Sequence, residues 1–183
     1  MNNEKQTSNQ VLSTIEKRSS ARAYSSKELT QSELDAIINA GLMAPTAANR
    51  QEIHFSVVKG DSEVLTELEK EFRGPEISEK PPHNFYYEAP VLIFISAENE
   101  FKWGSLDAGI AVQNMVLAAE SLGFGTLIIG CVYDTLHGEK EEYFSKKLQI
   151  PEGYSFCVAL AVGEKTDNKT PHEYDYERQV SVI

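Results

Sequence analysis

Residues 106–122 read LDAGIAVQNMVLAAESL, and the glycine-rich step GFG and the apolar run TLIIG (126–130) follow them. The first stretch has the composition of a helix, but its apolar residues lie all around the helix and not along one side. Such a helix has to be covered on every side, by its own chain or by a second chain. Gly123 and Gly125 are expected to end the helix, and the run after them predicts a buried β-strand.

The chain on either side of this helix shows further regular patterns. Thr30 and Glu33 form a capping box, which predicts the start of a helix that stops before Pro45. Asp61 or Ser62 is expected to cap another helix, whose apolar side continues to Phe72. The remaining predicted elements are helices over 11–16 and 139–148 and strands over 55–59, 90–96 and 154–162.

Length and composition limit the possible functions. The chain has 183 residues, of which 41% are apolar, so we expect a single domain with a substantial core. Its net charge of −11 disfavours nucleic acid and anionic membranes as partners. Residues 1–10 are polar and no apolar stretch is long enough to span a membrane, which leads us to expect a cytoplasmic protein with a flexible N-terminus.

Several common sites do not fit the sequence. The four histidines are far apart, and Cys131 and Cys157 form no CxxC pair, so we expect no metal site and two reduced thiols. There is no GxSxG and no GxxxxGK[ST] motif. The glycines at 123 and 125 follow a helix and precede a strand, whereas a dinucleotide-binding loop has the opposite order. They are interpreted as a helix end.

A short basic segment stands out in this acidic chain. Lys17, Arg18 and Arg22 lie within six positions, with Ser19 and Ser20 between them. A guanidinium group matches a phosphate in geometry, and serine hydroxyls complete such a site. The alternative is that these cations only interact with the dipole of a helix C-terminus. The sequence of this segment leaves both readings open.

Two other segments could face a ligand. Residues 44–51 read APTAANRQ, where small residues let a flat ligand approach the backbone and Asn49 and Gln51 supply amide groups. An ordinary turn-rich connection between a helix and a strand would look similar. Residues 74–84 contain three of the seven prolines, and we interpret them as a loop that could act as a lid.

Five motifs in a fixed order carry a family resemblance. They are RSSAR (18–22), APTAANRQ (44–51), NFYYEAPVLI (84–93), LDAGIAVQNMVLAAESLGFGT (106–126) and IPEGY (150–154). Together they resemble the FMN-dependent nitroreductase family over residues 11–163. Each motif is common by itself, but their joint occurrence is specific.

The resemblance implies a fold and an assembly. It implies an α+β protein with a mainly antiparallel central sheet flanked by helices, in an intertwined homodimer. Residues 1–183 then form one nitroreductase-like domain, and residues 164–183 form an extended tail that reaches the partner subunit. Two FMN molecules lie at the dimer interface of such proteins, and each contacts both chains.

The resemblance also implies which residues bind FMN. Arg18, Ser19, Ser20 and Arg22 match the motif that holds the phosphate and the pyrimidine edge, and Lys169 is the favoured tail cation over Lys165, His172 and Arg178. The strand end at Ile129 and Gly130 faces the flavin near N5. The partner chain contributes the residues that lie beside the ring: Pro45, Thr46, Ala47, Asn49 and Gln51.

The implied activity is a ping-pong reaction. NADH or NADPH reduces FMN, and a small electron-poor acceptor such as a nitroaromatic or a quinone is then reduced. FMN carries the chemistry, so no catalytic side chain is expected, and Arg22 is expected to stabilise the reduced flavin. Glu52-Ile53 stands where the family often has Pro followed by an aromatic residue, and Glu164 replaces another aromatic residue. These departures keep open a flavin sensor or carrier. A dehalogenase-like enzyme and a dimer without cofactor are further alternatives.

Overall fold

One antiparallel sheet organises the part of the chain that the structure describes. The structure is a computed structural model, and it describes residues 8–74, 82–167, 169–170 and 173–183. Most of the predicted N-terminal segment, residues 75–81 of the predicted lid, and His172 lie outside the described residues. The strands are β1 (Ile53–Lys59), β2 (Val91–Glu98), β3 (Gly125–Ile129) and β4 (Tyr154–Gly163).

The strand order is β1-β2-β4-β3, and every neighbouring pair is antiparallel. The continuous apolar sequence of β2 is explained by its central position, because the strand is buried on both faces. β1 and β3 are the outer strands, so the sheet presents two edges. The mainly antiparallel sheet that the family resemblance implied is therefore confirmed.

Helices cover both faces of the sheet. They are α1 (Gln10–Lys17), α2 (Gln31–Leu42), α3 (Glu63–Arg73), α4 (Gly104–Ser121), α5 (Tyr133–Leu136), α6 (Glu141–Lys147) and α7 (Tyr176–Gln179). The side chains of Ile93 and Ile95 belong to the core beneath α2 and α4. Leu92 and Phe94 belong to the core on the opposite face, beneath α3, α5 and α6. Within the described residues, no helix is long and apolar enough to cross a membrane.

α4 is the longest of these helices and lies between the sheet and α2. Its residue Met115 is fully buried, and a Cβ atom at Gly41 of α2 would lie only 2.8 Å from the Met115 Cγ. The glycine therefore allows the two helices to approach closely. The opposite side of α4 is open, because Leu106 is 57% exposed and a Cβ atom at Gly109 would meet no atom within 4 Å. The described part of the chain therefore covers only one side of this helix.

Most predicted elements are present with shifted ends, and two short helices are additional. The capping box at Thr30 is formed by hydrogen bonds in both directions, and Ser62 is the N-cap of α3. The helix predicted over 139–148 is observed as α6 and is preceded by the unpredicted turn α5. The short helix α7 lies in the segment for which no regular structure was predicted.

We expect the core of α3 to be essential for stability. Leu65 is fully buried and its neighbour Thr66 is exposed, so these positions form a matched pair. Leu65→Ala should lower the free energy of unfolding by about 2–5 kcal/mol through lost burial and a residual cavity. Thr66→Ala should change it by no more than about 0.5 kcal/mol. Urea unfolding followed by circular dichroism measures both, and equal effects would contradict this packing.

Candidate functional site

The basic segment after α1 runs along the outer edge of the sheet. α1 ends at Lys17, its C-cap Arg18 leaves the helical conformation with a ψ angle of 127°, and the chain then pairs with β3. Ser20 forms a parallel bridge with Thr126, and the Ala21 N–H donates to the Thr126 carbonyl at 2.9 Å. Ala21 is buried while Arg22 is exposed, so the segment presents its second arginine beside β3.

The chain after β4 returns to the same edge. Lys165 pairs with Tyr24 in an isolated bridge, and its Nζ contacts both carboxylate oxygens of Glu120 at 2.9 Å. Glu164 accepts hydrogen bonds from the Ser25 hydroxyl at 2.7 Å and from the Lys27 Nζ at 3.0 Å. These hydrogen bonds lower the pKa of Glu164. The start of the predicted tail is thus attached to its own chain.

Lys169, the tail cation that the resemblance favoured, lies beside the basic segment. Its Nζ donates to the Ser20 carbonyl at 2.7 Å and lies 3.7 Å from the Asp167 carboxylate. Asp167 also accepts a hydrogen bond from the Arg22 backbone N–H at 3.1 Å. The other described tail cations are engaged elsewhere, Lys165 with Glu120 and Arg178 with Asp175. Asp167 was not among the predicted site residues.

A cleft of about 280 Å³ opens beside this edge. It brings together Arg22, Ile129 and Gly130, three of the predicted residues. A Cβ atom at Gly130 would meet nothing within 4 Å, so the backbone at the end of β3 is open to a ligand. The cleft also contains residues that the sequence analysis did not select: Phe72, Arg73, His83, Phe85, Tyr87 and Cys131.

Aromatic side chains form one wall of the cleft. The rings of His83 and Tyr87 are stacked with centroids 3.9 Å apart, and Phe72 and Phe85 meet edge to face at 6.0 Å. Arg73 adds a second guanidinium group, whose Nε donates a hydrogen bond to the Glu69 carboxylate at 2.9 Å. The YYEAP motif and the basic end of α3 were the available sequence signals for this wall. A planar, partly anionic ligand fits these surroundings.

The remaining predicted residues lie at the other edge of the sheet. Pro45, Thr46, Ala47, Asn49 and Gln51 form the connection from α2 to β1, which contains a 3₁₀ turn at Ala47–Asn49. The Gln51 N–H donates to the Thr46 Oγ1 at 3.0 Å. The Ala47 N–H donates to the Asp107 carboxylate of α4 at 2.8 Å. The connection is therefore tied both to itself and to α4.

One chain does not bring the two groups of predicted residues together. The connection leads into β1 and the cleft adjoins β3, and these strands are on opposite edges of the sheet. Three strand spacings separate them, about 14 Å. Arg22 and Gly130 line the cleft, and none of residues 45–51 of the same chain does.

A larger groove of about 710 Å³ lies between α2 and the segment before β2. It contains apolar side chains such as Leu34 and Ile38 and the acidic residues Glu28, Asp61 and Glu88. No predicted site residue lines it, and its acidic groups disfavour a phosphate. We therefore place the candidate site in the smaller cleft. Across the described residues, no group of three or more His, Cys, Asp or Glu side chains is arranged to hold a metal ion.

A comparison with protein families decides which group of proteins the chain belongs to. The model of the nitroreductase family matches residues 15–164. The chain belongs to the nitroreductase family. This assignment agrees with the resemblance carried by the five sequence motifs, and the matched region includes the basic segment, the α2–β1 connection and the cleft.

Solved nitroreductases share the fold. The chain is similar to a nitroreductase with bound FMN from Desulfitobacterium hafniense, with a TM-score of 0.86, 29% identity and coverage of 97% of this chain and 100% of the other. The chain is also similar to a nitroreductase with bound FMN from Bacteroides fragilis, with a TM-score of 0.84 and 26% identity. The match covers 96% of this chain and 100% of the other. A Bacillus subtilis relative named FMN reductase (NAD(P)H) is 29% identical, over 87% of this chain and 67% of the relative.

The residues of this nitroreductase fit FMN. Arg22 and the open backbone of Gly130 meet in one cleft, and aromatic rings form its wall. Arg18 and Lys169 lie near Ser20 at the edge of the sheet, where cations suit a phosphate. Among the described residues, Asp167 is the acidic group bonded to this segment, and its charge is offset by Lys169.

Cys131 gives a test of the cleft's chemistry. The residue is exposed at the cleft, but partial burial of its sulfur raises the pKa of the thiol, only partly offset by nearby groups including Arg73. Because the thiolate is the reactive form, iodoacetamide should alkylate Cys131 more slowly at pH 7 than it alkylates free cysteine. The rate should rise as the pH increases. Cys131→Ser supplies the background from Cys157, and rapid alkylation at neutral pH would contradict the expectation.

Proposed function

We propose that this protein is an FMN-dependent oxidoreductase that uses NADH or NADPH to reduce small electron-poor molecules. The observation that carries the proposal is the cleft in which Arg22 lies beside the open strand end at Gly130. Family membership supports it, as do the relatives whose names include FMN and NAD(P)H. Nitroaromatics and quinones are the proposed acceptors, because the aromatic wall suits planar molecules.

The proposed contacts divide the cofactor into two parts. Arg18, Ser19, Ser20 and Lys169 would hold the phosphate at the edge of β3, where the Lys169 Nζ already lies 2.7 Å from the Ser20 carbonyl. Arg22 would face the pyrimidine edge of the ring. The backbone at Ile129 and Gly130 would face the ring near N5, where an added Cβ on the glycine meets no other atom.

We also propose that the active form is a homodimer, in which Pro45, Thr46, Ala47, Asn49 and Gln51 of one chain lie beside the flavin of the other. The separation of these residues from their own cleft supports this assembly. The exposed side of α4 and the apolar side of α1, where Val11 is 63% and Ile15 is 46% exposed, provide a surface for it. Residues 1–183 then act as one domain that functions in pairs.

The tail has two parts in this proposal. Lys165 and Lys169 lie against their own chain, through the Lys165–Glu120 pair and the Lys169–Ser20 hydrogen bond. The C-terminal residues Val180, Val182 and Ile183 are apolar and exposed, and Ile183 is fully exposed. We propose that this end of the predicted tail lies on the partner subunit.

We also propose a cytoplasmic location for the protein, which accords with the use of a nicotinamide reductant.

The side chains have binding and electrostatic roles. When bound, FMN supplies the hydride chemistry that links the nicotinamide to the acceptor. Arg22 brings a permanent positive charge to the pyrimidine edge, where it favours the anionic form of the reduced flavin. The aromatic wall at His83 and Tyr87 limits the acceptor to flat molecules. No side chain is assigned the role of general acid or base.

The main test is spectroscopic and kinetic. The purified protein should be yellow or should become so with FMN, and it should oxidise NAD(P)H faster when a nitroaromatic or a quinone is added. Protein that binds FMN but does not oxidise NAD(P)H would favour a flavin sensor or carrier. Colourless protein that takes up no FMN would refute the proposal and leave the cofactor-free dimer.

Arg22→Ala tests the electrostatic role. Removing a charged hydrogen-bond donor should weaken FMN binding by about 10- to 100-fold, corresponding to roughly 1.5–3 kcal/mol. It should also lower the midpoint potential of the bound flavin, because the reduced form loses a nearby cation. Lys146→Ala on α6, an exposed cation far from the cleft, is the control. Unchanged affinity and potential in Arg22→Ala would show that the role is wrong.

Leu106→Glu tests the dimer. Leu106 is exposed on the open side of α4, so a charge at this position should prevent association without disturbing the chain's own core. Analytical ultracentrifugation should show a monomer, and FMN affinity should fall because the partner's segment is lost. Thr66→Glu on α3 adds the same charge on the opposite face of the sheet. A Leu106→Glu protein that remains dimeric and retains FMN would contradict this interface.

A further inference from the structure

Glu52 is a buried carboxyl group without a hydrogen-bond partner. It connects the predicted flavin-facing segment to β1, yet its side chain is only 3% exposed. Among the described residues, neither of its carboxyl oxygens has a hydrogen-bond partner. A buried carboxylate normally requires several donors or a close cation. The proposed cofactor contacts leave this arrangement unexplained.

A second buried carboxyl group shares the same region. Asp107 in the first turn of α4 is also 3% exposed, but it accepts the Ala47 N–H at 2.8 Å and lies near the positive end of the helix dipole. The charge of Asp107 is therefore compensated and that of Glu52 is not. Two neighbouring buried carboxyl groups do not both ionise easily, and the charged form is disfavoured more at the one with fewer donors.

The charged groups around Glu52 come from three elements. Asp107 on α4 is negative, and Arg50 from the same connection is positive. Arg50 is already paired with Glu98 of β2 and lies 4.6 Å from the centre of the Phe101 ring. Burial is the main cause that raises the pKa of Glu52, and the close approach and negative charge of Asp107 raise it further, while the Glu52 backbone N–H and Arg50 offset only part of the shift.

The connection before Glu52 needs to be held in place. Ala48, Asn49 and Gln51 have φ angles of 55°, 53° and 56°, a left-handed conformation that is unfavourable for residues other than glycine. The Ala47–Asp107 hydrogen bond fixes one end of this strained turn. Glu52 is the buried residue at the other end.

We propose that Glu52 is a positioning residue that folds into the protein as a neutral acid and holds residues 45–51 in the shape that meets the partner's flavin. Loss of its proton places a second negative charge beside Asp107 in a buried position. The repulsion expels Glu52 toward water and releases the connection, so that flavin binding becomes sensitive to alkaline pH. This inference rests on the proposed FMN-binding function, and its first test is independent of that function.

The protonation state is tested on the protein without FMN. Infrared spectroscopy should detect the carbonyl stretch of a protonated carboxylic acid at pH 7, and the band should be absent from Glu52→Gln. Glu152→Gln, at an exposed position, should retain it. Asp107→Asn removes the neighbouring charge, so the band of Glu52 should disappear at a lower pH than in the unmodified protein. Absence of the band from the unmodified protein at pH 7 would overturn the proposal.

The effect on stability has a definite sign. Because the pKa of Glu52 is raised in the folded state, folding retains a proton that the unfolded chain releases. The stability contributed by Glu52 is complete below the ordinary glutamate pKa and is lost as the pH rises through the raised value. The free energy of unfolding should therefore fall over this range in the unmodified protein and in Glu152→Gln. The fall should be smaller in Glu52→Gln, and an equal fall in all three would overturn the proposal.

FMN affinity tests the positioning role. Above the pH at which the infrared band disappears, the FMN dissociation constant of the unmodified protein should rise by about tenfold per pH unit, since one proton is linked to binding. Glu52→Gln should bind FMN without this alkaline loss, and Glu152→Gln should show it in full. The same loss in Glu52→Gln would overturn the positioning role. No FMN binding by the unmodified protein at any pH would instead refute the proposed function, while the infrared and stability results still decide the state of Glu52.

Discussion

The position of α4 across the sheet is the constraint on which the rest of the structure depends. Its buried side packs on β2 and β4, and Gly41 lets α2 approach until the two helices are in close contact around Met115. Its two ends carry carboxylates with different roles. Asp107 in the first turn accepts a hydrogen bond from the Ala47 N–H, and Glu120 in the last turn forms an ion pair with Lys165. About 20 Å of helix separates them, so one rigid element fixes both groups of predicted site residues.

This arrangement explains how an acidic protein can bind an anionic cofactor. The net charge of −11 is an average over the chain, and many of the negative groups are engaged in local pairs. Glu120 and Glu164 are paired with Lys165 and Lys27 beside the basic segment, and within the described residues no ion pair engages the side chain of Arg18 or Arg22. The acidic residues near the cleft thus act as anchors for the backbone. The long-range field repels polyanions, while local geometry still accommodates a small phosphate.

The sequence predicted what depends on local pattern and missed what depends on tertiary contact. The capping box at Thr30 and the apolar run of β2 were recognised because helix starts and buried strands are determined by neighbouring residues. α5 was missed because its YDTL sequence has little helical preference and its helix is a single turn. Arg73 and Asp167 were missed because they reach the site only through folding, as the end of α3 and the tail come to the edge of β3. The family resemblance predicted the site residues and assigned residues 45–51 to the partner chain, and the strand order adds that one chain carries the two groups on opposite edges of the sheet.

Glu52 shows how a departure from the family pattern can change the behaviour of a loop without changing its path. A proline at this position would restrict the backbone covalently, and that restriction would not depend on pH. In this proposal a buried acid restrains the same connection only while it carries a proton, since its ionised form is buried beside Asp107 without a compensating cation or a second chain segment that donates to it. The kind of restraint matters because the turn at Ala48 and Asn49 is strained. A connection with left-handed residues relaxes to another conformation once the residue that anchors it is released. In a dimer, this release would act on the partner's flavin and not on the chain's own cleft, so protonation of one subunit would control the cofactor of the other.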